Sequence, residues 1–397
     1  MNYDELTDVI IKGAGIRFTS RLQPAGGAGD KVFPPTYEGA KYAKEMRKID
    51  GNIHQCVHLD SVQSQANRIE LALLEAIRER KIQMPLLEVV FPNDDVLLRQ
   101  VGRISHLEAP HRIADAILRD SDLNGVRFRE SEVGSILNSV SLQNATDLFR
   151  YAPTCLIFGM WDSTGPLGGL GAKIQRALSS EVVAVGAEFG VKTSSRLDPL
   201  GITLSAGPIH VVDEKTGEWT LEAKSDSGKM RKLYGKDGRP SEVNHGNIAP
   251  SISMDNGGVT FDYAMQRAVI SLPMMRRFGF PIDGMRTPEV DLAAQAVLVA
   301  TAILGVSLSN DKGMDLRTRT LLIPEEPGKW EALMMAGEKK ELEITPERAV
   351  DLYNIAVERA INAGLKYETA PITLTPSKGL VELVRRSKEI TIDTGAE

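Results

Sequence analysis

The spacing of apolar positions predicts alternating strands and helices along most of the chain. Residues 9–22 (VIIKGAGIRFTSRL) predict an opening strand interrupted by Gly13 and Gly15. The following QPAGGAGDKVFPPTYEG is too rich in Gly and Pro for regular structure. KYAKEMRK places Lys41, Lys44, Arg47 and Lys48 on turns that share one face of a basic helix. IHQCVHL (53–59) predicts a strand. After it, Asp60 or Ser61 caps a helix over 62–81 with Ile69, Leu73, Ala76 and Ile77 on its apolar stripe.

Pro110 sits at the first position of a shorter helix, PHRIADAILRD. Its Ile113 and Ile117 face inward, while Arg112, Asp115 and Arg119 stay solvated. YAPTCLIFGMW is dense enough in apolar residues for a buried strand. A glycine-rich turn follows, then a helix from about Ala172. EVVAVGAEF and GITLSAGPIHVV predict strands, and Thr216-Gly217 marks a hairpin. Thr287-Pro288 opens an apolar helix and Thr345-Pro346 another that ends at Gly364. KGLVELVRRS predicts a last short helix. The apolar run 292–308 contains Gln295 and is shorter than a membrane span, so it predicts a buried core helix. With no repeat of solenoid or propeller period, the class is α+β.

Composition narrows the functions. At 397 residues with 42% hydrophobic and 25% charged positions, the chain has the make-up of a globular protein. The 47 Lys and Arg against 53 Asp and Glu leave −6, which excludes a uniformly basic nucleic-acid coat but not a local basic groove. One asymmetry stands out: 224–239 carries six cations (Lys224, Lys229, Arg231, Lys232, Lys236, Arg239) against Asp226 and Asp237. This predicts a projecting loop or β-finger within 224–258. Two cysteines, Cys56 and Cys155, are too few for a disulfide framework and point to a reducing, cytoplasmic setting. The acidic start lacks the pattern of a signal peptide.

Catalytic signatures are sparse. The turn 165–173 (GPLGGLGAK) resembles a phosphate cradle, but Ala172 separates Gly171 from Lys173 and no Ser or Thr follows the lysine, so it fails the Walker pattern. It is left either as a nucleic-acid backbone contact or as a structural turn. His54, Cys56 and His58 share one side of a strand but lack a fourth ligand. No metal is therefore expected. His106 and His111 flank a helix start as solvated or capping residues. No G-x-S-x-G is present. The expectation is a binder without catalytic residues or cofactor.

Several stretches together resemble one family: LQPAGGAGDKVFPPTYEG (22–39), LDSVQSQANRIE (59–70), EAPHRIADAILRDS (108–121), FRESEVGSILNS (128–139), LIFGMWDSTGPLGGLGAKIQRAL (156–178), SSRLDPLGI (194–202), HGNIAPSI (245–252) and SLPMMRRFGFP (271–281). They are similar to the Cas-seven-like repeat-associated mysterious protein (RAMP) that forms the backbone of type I-U, or I-G, CRISPR Cascade complexes. The resemblance implies an RRM-like (ferredoxin-like) palm with inserted fingers, a β-hairpin thumb and a helical C-terminal part. Its expected divisions are 1–210, 211–262 for the thumb, and 263–397. It further implies head-to-tail copies along a CRISPR RNA, target DNA recognised through the guide, other Cascade subunits as partners, and no membrane.

Under this resemblance the RNA-binding candidates are Arg17, Ser20 and Arg21 on the first strand and Gln63, Ser64, Gln65, Asn67 and Arg68 at a helix start. Lys173 and Arg196 lie beside turns, Lys229, Arg231 and Lys232 in the thumb, and His245 within Asn-His-Gly-Asn. Each has an ordinary structural alternative as a cap or solvated surface group. Two rival functions remain: an RNA-cleaving RAMP of type III kind with a loop aspartate (Asp213, Asp226, Asp237 or Asp255), and a phosphate-binding metabolic enzyme using 165–173.

Overall fold

The chain opens with a helix where a strand was expected. In the computed structural model, which describes residues 1–163, 171–214, 216–254 and 256–394, α1 spans Tyr3–Lys12. Asn2 and Glu5 form a capping box, and Leu6, Val9 and Ile10 recur at helical spacing on the buried face. The Arg276 guanidinium donates to the carbonyls of Ile10 and Gly13 and closes the other end. Strand β1 therefore begins only at Gly13 and runs Gly13–Pro24.

Eight further strands complete one sheet: β2 Lys44–Ile49, β3 Asn52–Asp60, β4 Leu178–Val185, β5 Tyr263–Ser271, β6 Met314–Asp315, β7 Leu321–Pro324, β8 Lys329–Met334 and β9 Lys339–Leu342. Their order is β6-β7-β1-β5-β4-β3-β2, with β8 also on β1 and β9 outside β8. Every pair is antiparallel. Helix α2 (Val62–Arg78) lies in the chain between β1 and β4, which flank β5; helix α3 (Pro288–Asp311) lies between β5 and β8, which flank β1. The centre thus consists of two interleaved split β-α-β units.

Ser61 caps α2 and Thr287 caps α3, whose first residue is Pro288. The α3 window apolar and long enough to cross a membrane is 89% buried in the core. Its Gly305 allows close approach to α2, since a Cβ there would meet Ile69 Cγ2 at 2.6 Å. Helix α4 (Pro346–Asn362) packs on α3, and Gly364 follows in a left-handed conformation. The last helix, α5 (Lys378–Thr394), is longer than expected and is tied by Arg385 to Asp95.

Three local expectations are overturned. The basic stretch 41–48 forms strands, chiefly β2, in which exposed Lys44, Met46 and Lys48 alternate with half-buried Glu45, Arg47 and Ile49. YAPTCLIFGMW holds a buried helix, Thr154–Phe158, before the short strand Met160–Trp161. Lys173–Ile174 pairs with that strand instead of opening a helix. The turn between them, 164–170, lies outside the described residues.

Arg112 and His106 are not solvated. Arg112 is 6% exposed and donates to both Glu70 carboxylate oxygens, at 2.7 and 2.6 Å, and to the Gly159 carbonyl at 3.0 Å. His106 is fully buried and accepts from the Leu87 N–H at 3.2 Å; burial lowers its pKa to about 4. Both belong to the 79–177 insertion, where a five-stranded sheet brings Ile372–Pro376 against Leu87–Val90 and Ser121–Leu123.

Between β4 and β5 the chain makes a second excursion, residues 186–262. Its outgoing strands Glu188–Phe189 and Lys192–Arg196 pair with returning Val259–Thr260 and Ile248–Ser253. This two-stranded ribbon carries a small hairpin, His210–Asp213 with Glu218–Thr220, where Thr216-Gly217 predicted one.

Candidate nucleic-acid interface

Alternation along the central strands separates a covered face from an open one. Ile16, Phe18, Ser20 and Leu22 of β1 and Ala264, Gln266, Ala268 and Ile270 of β5 point to the buried side. There Ile16, Phe18, Ala268 and Ile270 join the core shared with the helices, and Leu22 and Ala264 a smaller cluster beside it. Arg17, Thr19 and Arg21, with Tyr263, Met265, Arg267 and Val269, occupy the opposite face, where exposure is greater. Ser20, at 6% exposure, is therefore on the wrong side of its strand for a surface contact.

The open face is a lattice of opposite charges. Arg17 donates twice to Glu331 of β8, at 3.0 and 2.6 Å. Arg21 donates to Glu325 at 2.6 Å and lies 4.0 Å over the Tyr263 ring. Arg47 pairs with both oxygens of Glu181 and with Glu45, which also meets His58 Nε2 at 2.9 Å. The Arg47 guanidinium holds the Glu181 carboxyl below its usual range, with smaller help from His58 and Arg267. Arg267 lies in register between Thr19 and Glu181. Such a surface can meet a phosphodiester chain, provided phosphates displace carboxylates from arginines.

The start of α2 divides its candidates. Gln63 and Asn67 are exposed, and the Ser64 N–H donates to the capping Ser61 Oγ at 3.2 Å. Gln65 is 1% exposed and structural: it donates to Asp60 at 2.7 Å and accepts from Ser180 Oγ at 2.8 Å and Gln266 Nε2 at 3.1 Å. Arg68, about one-third exposed, donates to the buried Asp60 at 3.0 Å, and Arg317 approaches the other Asp60 oxygen at 3.5 Å. Burial pushes the Arg317 guanidinium down from its usual value.

The remaining candidates lie apart from the sheet face. Lys173 is exposed and stands 5.3 Å over the Trp161 ring. Arg196 is a clamp within the ribbon, donating to the carbonyls of His245 (2.7 Å) and Gly246 (2.9 and 3.0 Å). His245 packs edge-on against Trp219 and lies 3.9 Å from Asp198. Lys229 is exposed, Lys232 pairs with Glu214 at 2.8 Å, and Arg231 donates to the Glu222 and Lys224 carbonyls. The structure thus unites Arg17 and Arg21 with unpredicted Arg47, His58, Tyr263 and Arg267. It separates them along the chain's fold from the ribbon group. Strand alternation within YAMQRAVIS was the signal for Tyr263 and Arg267; Arg47 was hidden by the helical reading of its segment. Among the described residues no group of three or more His, Cys, Asp or Glu is placed to hold a metal.

Residues 16–189 match the model of a family described as CRISPR-associated protein GSU0053. The match runs from the start of β1 to the foot of the ribbon. Over that stretch the chain is similar to this CRISPR-associated family, in line with the resemblance of its motifs. Csc2 of Thermofilum pendens, a solved structure, is 14% identical and aligned over 98% of this chain and 80% of that one, with a TM-score of 0.25, too low to relate the folds. No curated protein matches the chain.

Proposed function

We propose that the protein is a non-catalytic, CRISPR RNA-binding backbone subunit of a cytoplasmic type I Cascade complex of the I-U or I-G subtype. Copies stack head to tail along the guide and support recognition of target DNA. The observation that carries this reading is a sheet of two split β-α-β units with one open, arginine-bearing face, from whose adjacent central strands a long ribbon departs. In this reading the sheet is an RRM-like palm, the 79–177 insertion the fingers, and the ribbon the thumb with its foot at 186. A guide of any sequence demands contacts to phosphates and sugars, which arginines and amides supply without reading bases. An open, heterologous stack also lets an acidic chain keep a soluble outer surface while a groove stays basic.

Purification of the complex from its native host, followed by sequencing of bound nucleic acid, tests the proposal. The expected result is several copies of the chain on short CRISPR RNAs with repeat-derived ends. A chain that stays RNA-free when guide and partner subunits are supplied would refute it. Regularly spaced cleavage of guide-complementary RNA with Mg²⁺ would favour the type III reading instead.

A further inference from the structure

At the foot of the ribbon, where it leaves the sheet, lies a cavity of about 500 Å³. Its walls include Lys44 at the start of the edge strand β2, Lys41 and Tyr42 from the short strand pair just before it, and Phe189, Gly190 and Gly257 from the foot of the ribbon. The volume is in the range of a small-ligand site. The shape is fixed by a close backbone crossing: a Cβ on Gly257 would stand 2.0 Å from the Gly190 carbonyl oxygen, and one on Gly190 2.9 Å from the Gly257 oxygen. Lys31 donates to the Val191 carbonyl at 3.0 Å beside the same crossing. Tyr42 stacks on Phe189, with ring centroids 6.4 Å apart and planes at 22°, and accepts from the Gly258 N–H at 3.1 Å.

The charge state of this cavity differs from that of the open face. There, Arg17, Arg21 and Arg47 already hold carboxylates. Here Lys44 Nζ rests 3.6 Å over the Phe189 ring, and among the described residues neither Lys41 nor Lys44 forms an ion pair. The Phe189 ring face attracts the exposed Lys44 ammonium and holds it at the cavity wall. Among the described residues, an entering anion has no carboxylate to displace from Lys41 or Lys44. Two point charges that impose no planar geometry suit a phosphate better than a carboxylate.

We infer that this cavity holds one phosphate-bearing nucleotide, its phosphate between Lys41 and Lys44 and its remainder against the aromatic and glycine walls. Within the proposed function, on which this step rests, that nucleotide belongs to the single-stranded guide where it passes the foot of the ribbon. A free mononucleotide has the same chemistry, and the experiment separates the two sources.

The full-length chain is titrated against a labelled oligouridine of about 12 nucleotides by fluorescence anisotropy, between about 0.05 and 0.2 M KCl. Lys41→Gln/Lys44→Gln is compared with Lys48→Gln, a neutralisation of an exposed lysine on β2 outside the cavity. Losing the one phosphate contact that the two lysines share should weaken binding about tenfold and reduce the salt slope by about 0.7, with a smaller effect of Lys48→Gln. Acylation of lysines, read by mass spectrometry, should show Lys41 and Lys44 protected by the oligomer. Unchanged binding by the double variant, or an equal effect of Lys48→Gln, overturns the site and leaves the RNA-binding function standing. If no RNA binds yet uridine monophosphate protects both lysines, the site stands as a mononucleotide site and the proposed function fails. If neither protects them, the inference is overturned.

Discussion

Removing acids from the open face should tighten RNA binding. Glu331 occupies Arg17 through two hydrogen bonds, and Glu325 occupies Arg21 through one. A phosphate reaching either guanidinium must first release its carboxylate. Side-chain exposures of 30% and 25% in the first pair, and 50% and 30% in the second, place both among partly solvated bridges. Such pairs are worth about 0.2–1 kcal/mol each. Glu331→Gln/Glu325→Gln leaves a neutral acceptor of equal shape at both positions. Lifting both competitors contributes about 0.4–2 kcal/mol, a gain in RNA affinity between about twofold and thirtyfold. Anisotropy titration with oligouridine at fixed salt measures it, with Arg17→Gln/Arg21→Gln expected to weaken binding and lower the salt slope by about 1.4. The opposite sign for the glutamine pair, a loss of affinity, would show that the carboxylates orient the arginines for RNA, and the competition argument would fail. Insensitivity of both double variants would remove the open face from the interface.

Arg112→Met should cost about 3–5 kcal/mol at pH 8 by stranding the buried Glu70 carboxylate. Burial already pushes that carboxyl up and Arg112 opposes the rise, so in the variant the folded pKa climbs further above the unfolded one. The deficit should shrink as pH falls towards 5; urea midpoints giving a pH-independent deficit would contradict this. His106, held near pKa 4 by burial against about 6.5 when unfolded, binds a proton only on unfolding between those values. Stability should fall by about 3 kcal/mol as pH drops from 6.5 to 4, and His106→Leu should flatten that dependence; an equally steep curve in the variant would refute it. Cys155, pushed up to about 12, and Cys56, also raised, are both buried. Neither should react with a thiol reagent until urea unfolds the chain, and rapid labelling of the native protein would be the contrary result.

Elements whose signals are local were readable from the sequence. Ser61, Thr287-Pro288 and Thr345-Pro346 start helices because a cap and a fixed φ act within one turn. The stretch 44–49 was not readable, because its cations fit one helical face as well as alternate positions on a strand. Pairing with β3 decided the matter. Polar residues were misplaced for a similar reason. Gln65 looks like a surface amide until it meets Gln266, 201 residues away, and Arg112 looks solvated until Glu70, 42 residues away, receives it. Of the open face, Arg17 and Arg21 were singled out through the resemblance, together with Ser20, which strand alternation sends to the buried side. The acids that neutralise them come from Glu325 and Glu331, far along the chain, which no local window contains.

The same distance effect revises the meaning of the basic ribbon. Counting charge within 224–239 ignores Glu214 and Glu222, which lie just outside it and pair with Lys232 and Arg231. Arg239 meets Asp237 inside it. The two bridged cations differ in kind. Lys232 and Glu214 are 75% and 69% exposed, so their bridge contributes little and yields readily to a phosphate. Arg231 is only 18% exposed and uses its guanidinium on two backbone carbonyls, which makes it a brace for the turn 222–231. Charged hydrogen bonds of this sort are worth about 1.5–3 kcal/mol. Lys229→Glu/Lys232→Glu should therefore weaken RNA binding while the ribbon stays resistant to protease. Arg231→Glu should open protease sites within 221–240 before any RNA is added. Equal protease resistance in all three proteins would mean that Arg231 is no brace, and its loss of RNA binding would then count as a direct contact.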